Sequence, residues 1–214
     1  MTELEIIGLP ISTYVRAVRI AAQEKGVAYT LHPASPHSEP VNRISPAGRI
    51  PVMRHGGVEL AESRAIAGYI DAVFDGPDLF PRDPVEAAKA EQWISLTNTV
   101  FDPLFIRRFL FAYIFPKGEN GEPDRAVIDK AAEEMRPYFK AIDAALAETG
   151  YFAGKAPSFA DWNLFTMMHY LRQMPESGEM LNASPNLLAL HDRLAARESA
   201  EATLPPPPQE AASA

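Results

Sequence analysis

No stretch restricts the fold of this chain as much as the one from Ser45 to Ile66. Ile50-Pro51 opens a short apolar run. Proline cannot donate to a strand ladder, so it belongs at a strand's start or edge. An X-Pro bond at such a place can be cis, which turns the backbone sharply and leaves an edge open. Val52-Met53-Arg54 and Val58-Glu59-Leu60 flank His55-Gly56-Gly57, the pattern of a tight hairpin. After Glu62-Ser63, the residues Ile66, Tyr69, Ile70, Val73 and Phe74 recur at helical spacing. The free N–H groups and positive dipole end of that helix suit an anion. A bent edge strand beside a helix N-terminus is a place to hold an extended peptide carrying a carboxylate.

The flanking sequence sets this stretch in a larger plan. Leu4 to Gly8 reads as a strand and Leu9-Pro10-Ile11-Ser12 as a turn. Thr13 to Lys25 reads as a helix, with Val15, Val18 and Ala22 on its inner face and Arg16, Arg19 and Lys25 outside it. Gly26 ends it as C-cap glycines do. Val27 to Leu31 is a second strand, so the chain opens strand–helix–strand, a parallel pair with a right-handed crossover. His32 to Arg43 is proline-rich and polar, a loop or short helix. The β-α-β then β-β-α order resembles the thioredoxin-like fold.

Beyond the turn-rich bridge Gly76 to Pro84 the pattern becomes helical. Val85 to about Phe115 predicts one long helix, with a kink at Pro103. Arg125 to Thr149 predicts a second, and shorter ones fall near Phe159–Gln173 and Pro185–Arg197. Ser158 with Asp161 three residues on forms a capping box with Asp in the usual Glu or Gln position. From about Glu198 the small residues and Pro205 to Pro208 predict a disordered or extended tail. The domains expected are therefore 1–76 (α/β), a linker at 77–84, an all-helical 85–199 and a flexible tail at 200–214.

Charge and composition narrow the chemistry. The net charge is −8 over 214 residues, which disfavours nucleic acid as a partner because phosphate binding needs basic patches. There are no cysteines, so disulfides, thiolate metal sites and cysteine nucleophiles are excluded. The five histidines lack ligand spacing and an accompanying carboxylate cluster, so no metal is expected. The first residues lack the pattern of a signal peptide and no apolar run is long enough to span a bilayer, so a cytoplasmic protein without membrane contact is expected.

The proline-bearing strand start, the hairpin and Glu-Ser opening a helix resemble, in order and spacing, the glutathione-binding half of the glutathione S-transferase family. The Gly154…Ser158-x-x-Asp161 signal resembles the start of that family's buried core helix, where its role is structural. The chain is thus similar to cytosolic, bacterial-like members with a serine-type active turn. The resemblance implies the family's fold, a thioredoxin-like domain followed by a helical one. It also implies glutathione as co-substrate, homodimerisation and detoxification chemistry.

The same resemblance assigns site residues. Ser12, four residues before Arg16, takes the place of the hydroxyl that touches the glutathione sulfur; Thr13 and then Tyr14 are the alternatives. Read as a residue alone, Ser12 is simply a helix N-cap. Ile50 offers its backbone to the cysteinyl part and Pro51 holds the turn. Glu62 takes the γ-glutamyl ammonium, Ser63 the γ-glutamyl carboxylate, and Arg49 faces the glycyl carboxylate. An ordinary helix start and a solvated surface charge are the plain readings of Glu62-Ser63 and of Arg49. The absence of cysteine argues against thiol-transferase and dehydroascorbate-reductase chemistry. In the aromatic run of the long helix, Phe101, Phe105 and Arg108 are the candidates for an apolar second-substrate pocket, against the plainer reading of core packing. The activity implied is addition of the glutathione thiolate to an apolar electrophile. Two alternatives stay open. One is a non-catalytic ligand- or protein-binding member of the fold. The other is a specialised glutathione-dependent isomerase, dehalogenase or ether-cleaving enzyme.

Overall fold

A computed structural model describes residues 3–207. The chain forms two compact units. One holds the residues up to Arg82 together with those from Ala195 onward, and the other runs Asp83–Leu194.

The first unit is built on four strands, β1 (Leu4–Ile7), β2 (Tyr29–His32), β3 (Val52–His55) and β4 (Val58–Ala61), in the order β2-β1-β3-β4. β2 lies parallel to β1, as the strand–helix–strand opening requires, and β3 and β4 run antiparallel to their neighbours. Leu4, Ile6, Ile7, Val52 and Met53 are buried in this sheet. Three helices complete the opening of the unit: α1 (Thr13–Glu24), the single turn α2 (Glu39–Asn42) and α3 (Ser63–Val73). α1 is apolar on its inner face, where Val15, Val18, Ile20 and Ala22 are fully buried. Gly26, at φ 68, follows its end in a conformation that favours glycine.

Two sequence expectations need correction in this unit. β3 is an interior strand, hydrogen-bonded to β1 on one side and β4 on the other, so it offers no open edge. Arg16 and Lys25 do not lie outside α1: they are 1% and 6% exposed. Lys25 Nζ reaches Asp71 Oδ1 of α3 at 3.2 Å and the Gly76 carbonyl at 3.4 Å. Asp71 Oδ1 also accepts the Leu79 N–H at 2.8 Å, so this buried ion pair ties α1, α3 and the 76–79 turn together.

The tail expectation is also corrected over its first residues. Glu198–Glu201 forms a helical turn, α10, and both Ala200 and Thr203 are buried in the first unit. The turn is held by side chains of α1, which periodicity in 198–204 does not reveal. Residues 208–214, the rest of the expected tail, lie outside the described residues.

In the second unit, α4 (Pro84–Leu96) starts at Asp83, whose carboxylate accepts the N–H groups of Val85 and Glu86 at 3.0 Å each. The long helix expected to follow is not uniform. Thr97–Leu110 winds as a wider π-helix around Pro103, and α5 (Phe111–Ile114) resumes the normal pitch. Proline has no N–H and its ring crowds the preceding turn, so a widened turn accommodates it. α6 (Arg125–Ala145) and α7 (Phe159–Leu171) follow, then α8 (Pro175–Asn182) and α9 (Pro185–Ala195). α8 was not expected: Ser177 and Gly178 interrupt its apolar periodicity. α7 is buried nearly all round. At its start Asp161 accepts the Ser158 N–H and hydroxyl at 2.8 Å each and the Phe152 N–H at 3.0 Å. Burial outweighs these hydrogen bonds and pushes the Asp161 carboxyl up to about 6.

Candidate active site

The register of the sheet decides which loops meet. Ile7 pairs with His32 on one side and Val52 on the other, and Val52 pairs with Ala61. The C-terminal ends of β1 and β4 and the N-terminal end of β3 therefore lie side by side at one end of the sheet. From that end leave the turn to Ser12, the segment Ile50-Pro51 and the step Glu62-Ser63. Gly8 makes the closeness tangible: a Cβ there would stand 2.6 Å from Val15 Cγ2 and 3.1 Å from Ile50 Cβ. Beneath the loops Ile7, Val41 and Val52 pack with Ala34, Ile44, Ile50 and Ala61.

Ser12 is the N-cap of α1, with extended backbone at φ −70 and ψ 130. Its Oγ accepts the Val15 N–H at 3.4 Å, and the Ser12 carbonyl accepts the Arg16 N–H at 2.9 Å. A hydroxyl that accepts from a helix start still has its own proton to donate. The cap and the donor roles are therefore compatible at one atom. Thr13 next to it is buried, and Tyr14 is half-buried.

The Ile50–Pro51 bond is cis, and both residues precede the ladder that begins at Val52. Arg49 is exposed at the same turn, its N–H donated to Ser45 Oγ at 3.1 Å. Gly48, at φ 62, lies directly beneath the His37 ring, which a Cβ would run into. The His37 N–H in turn donates to the Gly48 carbonyl at 2.9 Å. The His37 ring thus stands over Gly48, the residue before Arg49. Sequence reasoning passed over it because a histidine in a proline-rich loop carries no spacing that ties it to a turn eleven residues later.

Glu62 and Ser63 form the start of α3. Glu62 has φ 68 and ψ 116, a region sparsely used by residues with a side chain, while Ser63 is buried at the helix's first position. Strain of this kind persists where the surrounding structure imposes it, and it concentrates at ligand sites.

The candidates for a second-substrate pocket fare differently. Phe101 and Phe105 are 2% and 0% exposed and stack at 5.1 Å. Tyr138 lies edge-on to Phe101 at 5.6 Å, and Phe139 stacks on Phe105 at 5.5 Å. These two rings form the core of the second unit, and the plainer reading holds. Arg108 forks onto Glu134 of α6 at 2.5 and 3.1 Å. Ile114 of α5 and Phe115 just after it are exposed.

A small mixed sheet with a crossover helix and a cis-proline turn, in one chain with a separate helical unit, defines the thioredoxin-plus-helical class of two-unit proteins. The family models for the glutathione S-transferase N-terminal and C-terminal domains match residues 6–78 and 107–202. Glutathione S-transferase 3 of Zea mays is 31% identical over 99% of this chain and 100% of its own length. Among solved structures, glutathione transferase F7 from Populus trichocarpa superposes with a TM-score of 0.83 at 26% identity, covering 94% of this chain and 97% of the other. The theta class glutathione S-transferase from Xanthomonas axonopodis pv. citri, with glutathione bound, gives 0.82 at 27%, covering 97% and 99%. The chain belongs to the glutathione S-transferase family, and it is a transferase. Among the described residues, no helix is long and apolar enough to cross a membrane.

Proposed function

We propose that the first unit binds glutathione across the gathered loops and that Ser12 stabilises its thiolate for attack on an electrophilic, mostly apolar substrate. The observation that carries this is the convergence of Ser12, Ile50-Pro51 and Glu62-Ser63 at one end of the sheet. Glu62 takes the γ-glutamyl ammonium, and Ser63, with its N–H at the start of α3, takes the γ-glutamyl carboxylate. Ile50 pairs with the cysteinyl backbone ahead of the ladder, and Arg49 faces the glycyl carboxylate. That arrangement lays the cysteinyl sulfur toward α1 and the Ser12 hydroxyl.

The energetics suit a single donor. Lowering a thiol pKa by about two units takes roughly 2.7 kcal/mol of preference for the anion. A hydrogen bond to a charged group contributes roughly 1.5–3 kcal/mol, and the positive end of α1 adds about 0.3–1 kcal/mol. The thiolate sulfur then forms a bond to the electrophilic carbon. The leaving group departs with the electron pair, or in an addition the new carbanion takes a proton from solvent. The protein supplies orientation and anion stabilisation and forms no covalent intermediate.

The test is the ultraviolet thiolate absorbance of bound glutathione against pH, in the wild type and in Ser12→Ala. A bound thiol pKa well below that of free glutathione, returning most of the way in the variant, is expected. Depression that survives in Ser12→Ala refutes the role of Ser12 and transfers it to Thr13, Tyr14 or backbone N–H groups. An absence of bound thiolate in the wild type refutes the catalytic reading and leaves a binding member of the fold.

A further inference from the structure

A polar network of the first unit lies away from the gathered loops, where the segment after α9 returns to α1. Arg197 forks onto Glu24, Nε to Oε1 at 2.9 Å and Nη2 to Oε2 at 2.7 Å, and Ser199 Oγ donates to the same carboxylate at 2.5 Å. Arg16 Nη2 donates to the Ala200 carbonyl at 3.2 Å. Arg19 donates to the Thr203 and Ala202 carbonyls at 3.4 Å each, and its Nε to the Tyr29 hydroxyl at 3.0 Å. Thr203, fully buried, closes the turn by donating to the Ser199 carbonyl at 2.8 Å.

These contacts have a common geometry. One short segment is bonded to α1 at three levels: Arg16 near the start, Arg19 in the middle and Glu24 at the end. The carbonyls of Ala200, in α10, and of Ala202 and Thr203, just past it, receive guanidinium donors, which are among the stronger hydrogen-bonding partners. A helix held at three points along its length can neither slide nor rotate without breaking charge-assisted bonds. The helix so held is the one whose N-cap is Ser12, and the Arg16 N–H is bonded to the Ser12 carbonyl.

We propose that residues 197–203 are a positioning element of the sulfur site, fixing α1 so that the Ser12 hydroxyl stands where the thiolate forms. The proposal rests on the reading of Ser12 given above. Glu24 and Arg197 are positioning residues, with no contact to the reacting atoms. Their distance makes the inference testable. Glu24 is twelve residues from Ser12, roughly 18 Å along the helix, well beyond a Debye length of about 8 Å at physiological salt. At that distance the direct field of the clamp at the sulfur is small, and amide exchange at Val15 and Arg16, which a field does not move, separates displacement of the helix from it. A hydrogen bond is lost over a small displacement, and a misplacement of about 1 Å in an active site can reduce turnover by up to roughly a hundredfold.

The experiment uses the full chain as Arg197→Met/Ser199→Ala, which strips Glu24 of both donors; Arg197 is about half exposed, so the change is made near the surface. The readouts are the pKa of bound glutathione by ultraviolet titration and steady-state kinetics with an activated chloronitroarene as probe electrophile. Amide hydrogen exchange of Val15 and Arg16 is the third. We expect the bound thiol pKa to rise by about half a unit or more, with kcat near pH 6.5 falling about threefold to tenfold. KM for glutathione should stay within about twofold, because the glutathione-holding loops are not part of the clamp. Arg197→Lys alone should restore most of the thiol pKa. A wild-type thiol pKa and kcat in the double variant overturn the proposal while leaving Ser12 its role. If the wild type itself holds no thiolate, the Ser12 reading fails and this one with it.

Discussion

The capping carboxylate of α7 gives a pH dependence whose sign runs against the usual expectation for a hydrogen-bonded carboxylate. Asp161 is fully buried and its carboxyl is pushed up to about 6 from an ordinary 3.8. The folded state therefore holds this proton more tightly than the unfolded chain does. Its contribution to stability is complete below about pH 4, declines as pH rises from about 4 to 6, and is flat above that. The full difference is roughly 3 kcal/mol, at 1.36 kcal/mol per pKa unit. Over the range in which the fold survives, going from pH 7 down to pH 5 gives a gain of about 1 kcal/mol from this group alone. Other carboxylates titrate in the same range, so the quantity to measure is a difference. Urea unfolding of wild type and Asp161→Asn at pH 5, 6 and 7 provides it. The variant keeps one acceptor oxygen but sets an NH2 against the donors on the other side, Phe152 N–H or the Ser158 pair, and is less stable throughout. The gap between the two proteins should widen by about 1 kcal/mol between pH 7 and pH 5. A gap that is constant, or that narrows toward pH 5, would mean that the hydrogen bonds outweigh burial and that the carboxyl is not raised.

Other perturbations test the remaining structure. Asp71→Asn keeps an acceptor for Leu79 but strands the buried Lys25 ammonium, and chemical denaturation should show a loss of about 3–5 kcal/mol. Lys25→Met combined with Asp71→Asn should recover part of it, since no buried charge is then left; a double variant no better than the single one would sink this account. Phe105→Ala should reduce stability by about 3–5 kcal/mol. Its KM for an apolar electrophile should stay within about twofold of wild type; intact stability with a raised KM would return Phe105 to a binding pocket.

The legibility of the chain in sequence followed how local each signal was. Strand, turn and helix signals in the first 75 residues depend on neighbours in sequence, and the elements there appear within a residue or two of expectation. The Ser158–Asp161 capping box is likewise local and is formed as expected. Long-range facts were not legible. Nothing in Arg16 or Lys25 marks them as buried, because their partners at Ala200 and Asp71 lie 184 and 46 residues away. The interior place of β3 depends on strand order, which alternation along one strand does not encode. Phe101 and Phe105 have an aromatic character that suits a pocket as well as a core, and packing by Tyr138 and Phe139 decides between them. The strained backbone of Glu62 leaves no trace in composition, although Glu62-Ser63 itself was found from its place ahead of a helical pattern.

The discontinuity of the first unit bears on how the protein is made. A ribosome delivers the sheet, α1 and α3 by Arg82, yet Thr203, which α1 binds, lies 121 residues further on. At about 5–20 residues per second, that interval lasts roughly 6–24 s. During it the Arg16 and Arg19 guanidinium groups await the carbonyls of Ala200, Ala202 and Thr203, and the Glu24 carboxylate awaits Arg197 and Ser199. The whole of the second unit is synthesised meanwhile. Vectorial synthesis thus completes the helical unit before the α/β unit, although the α/β unit begins first.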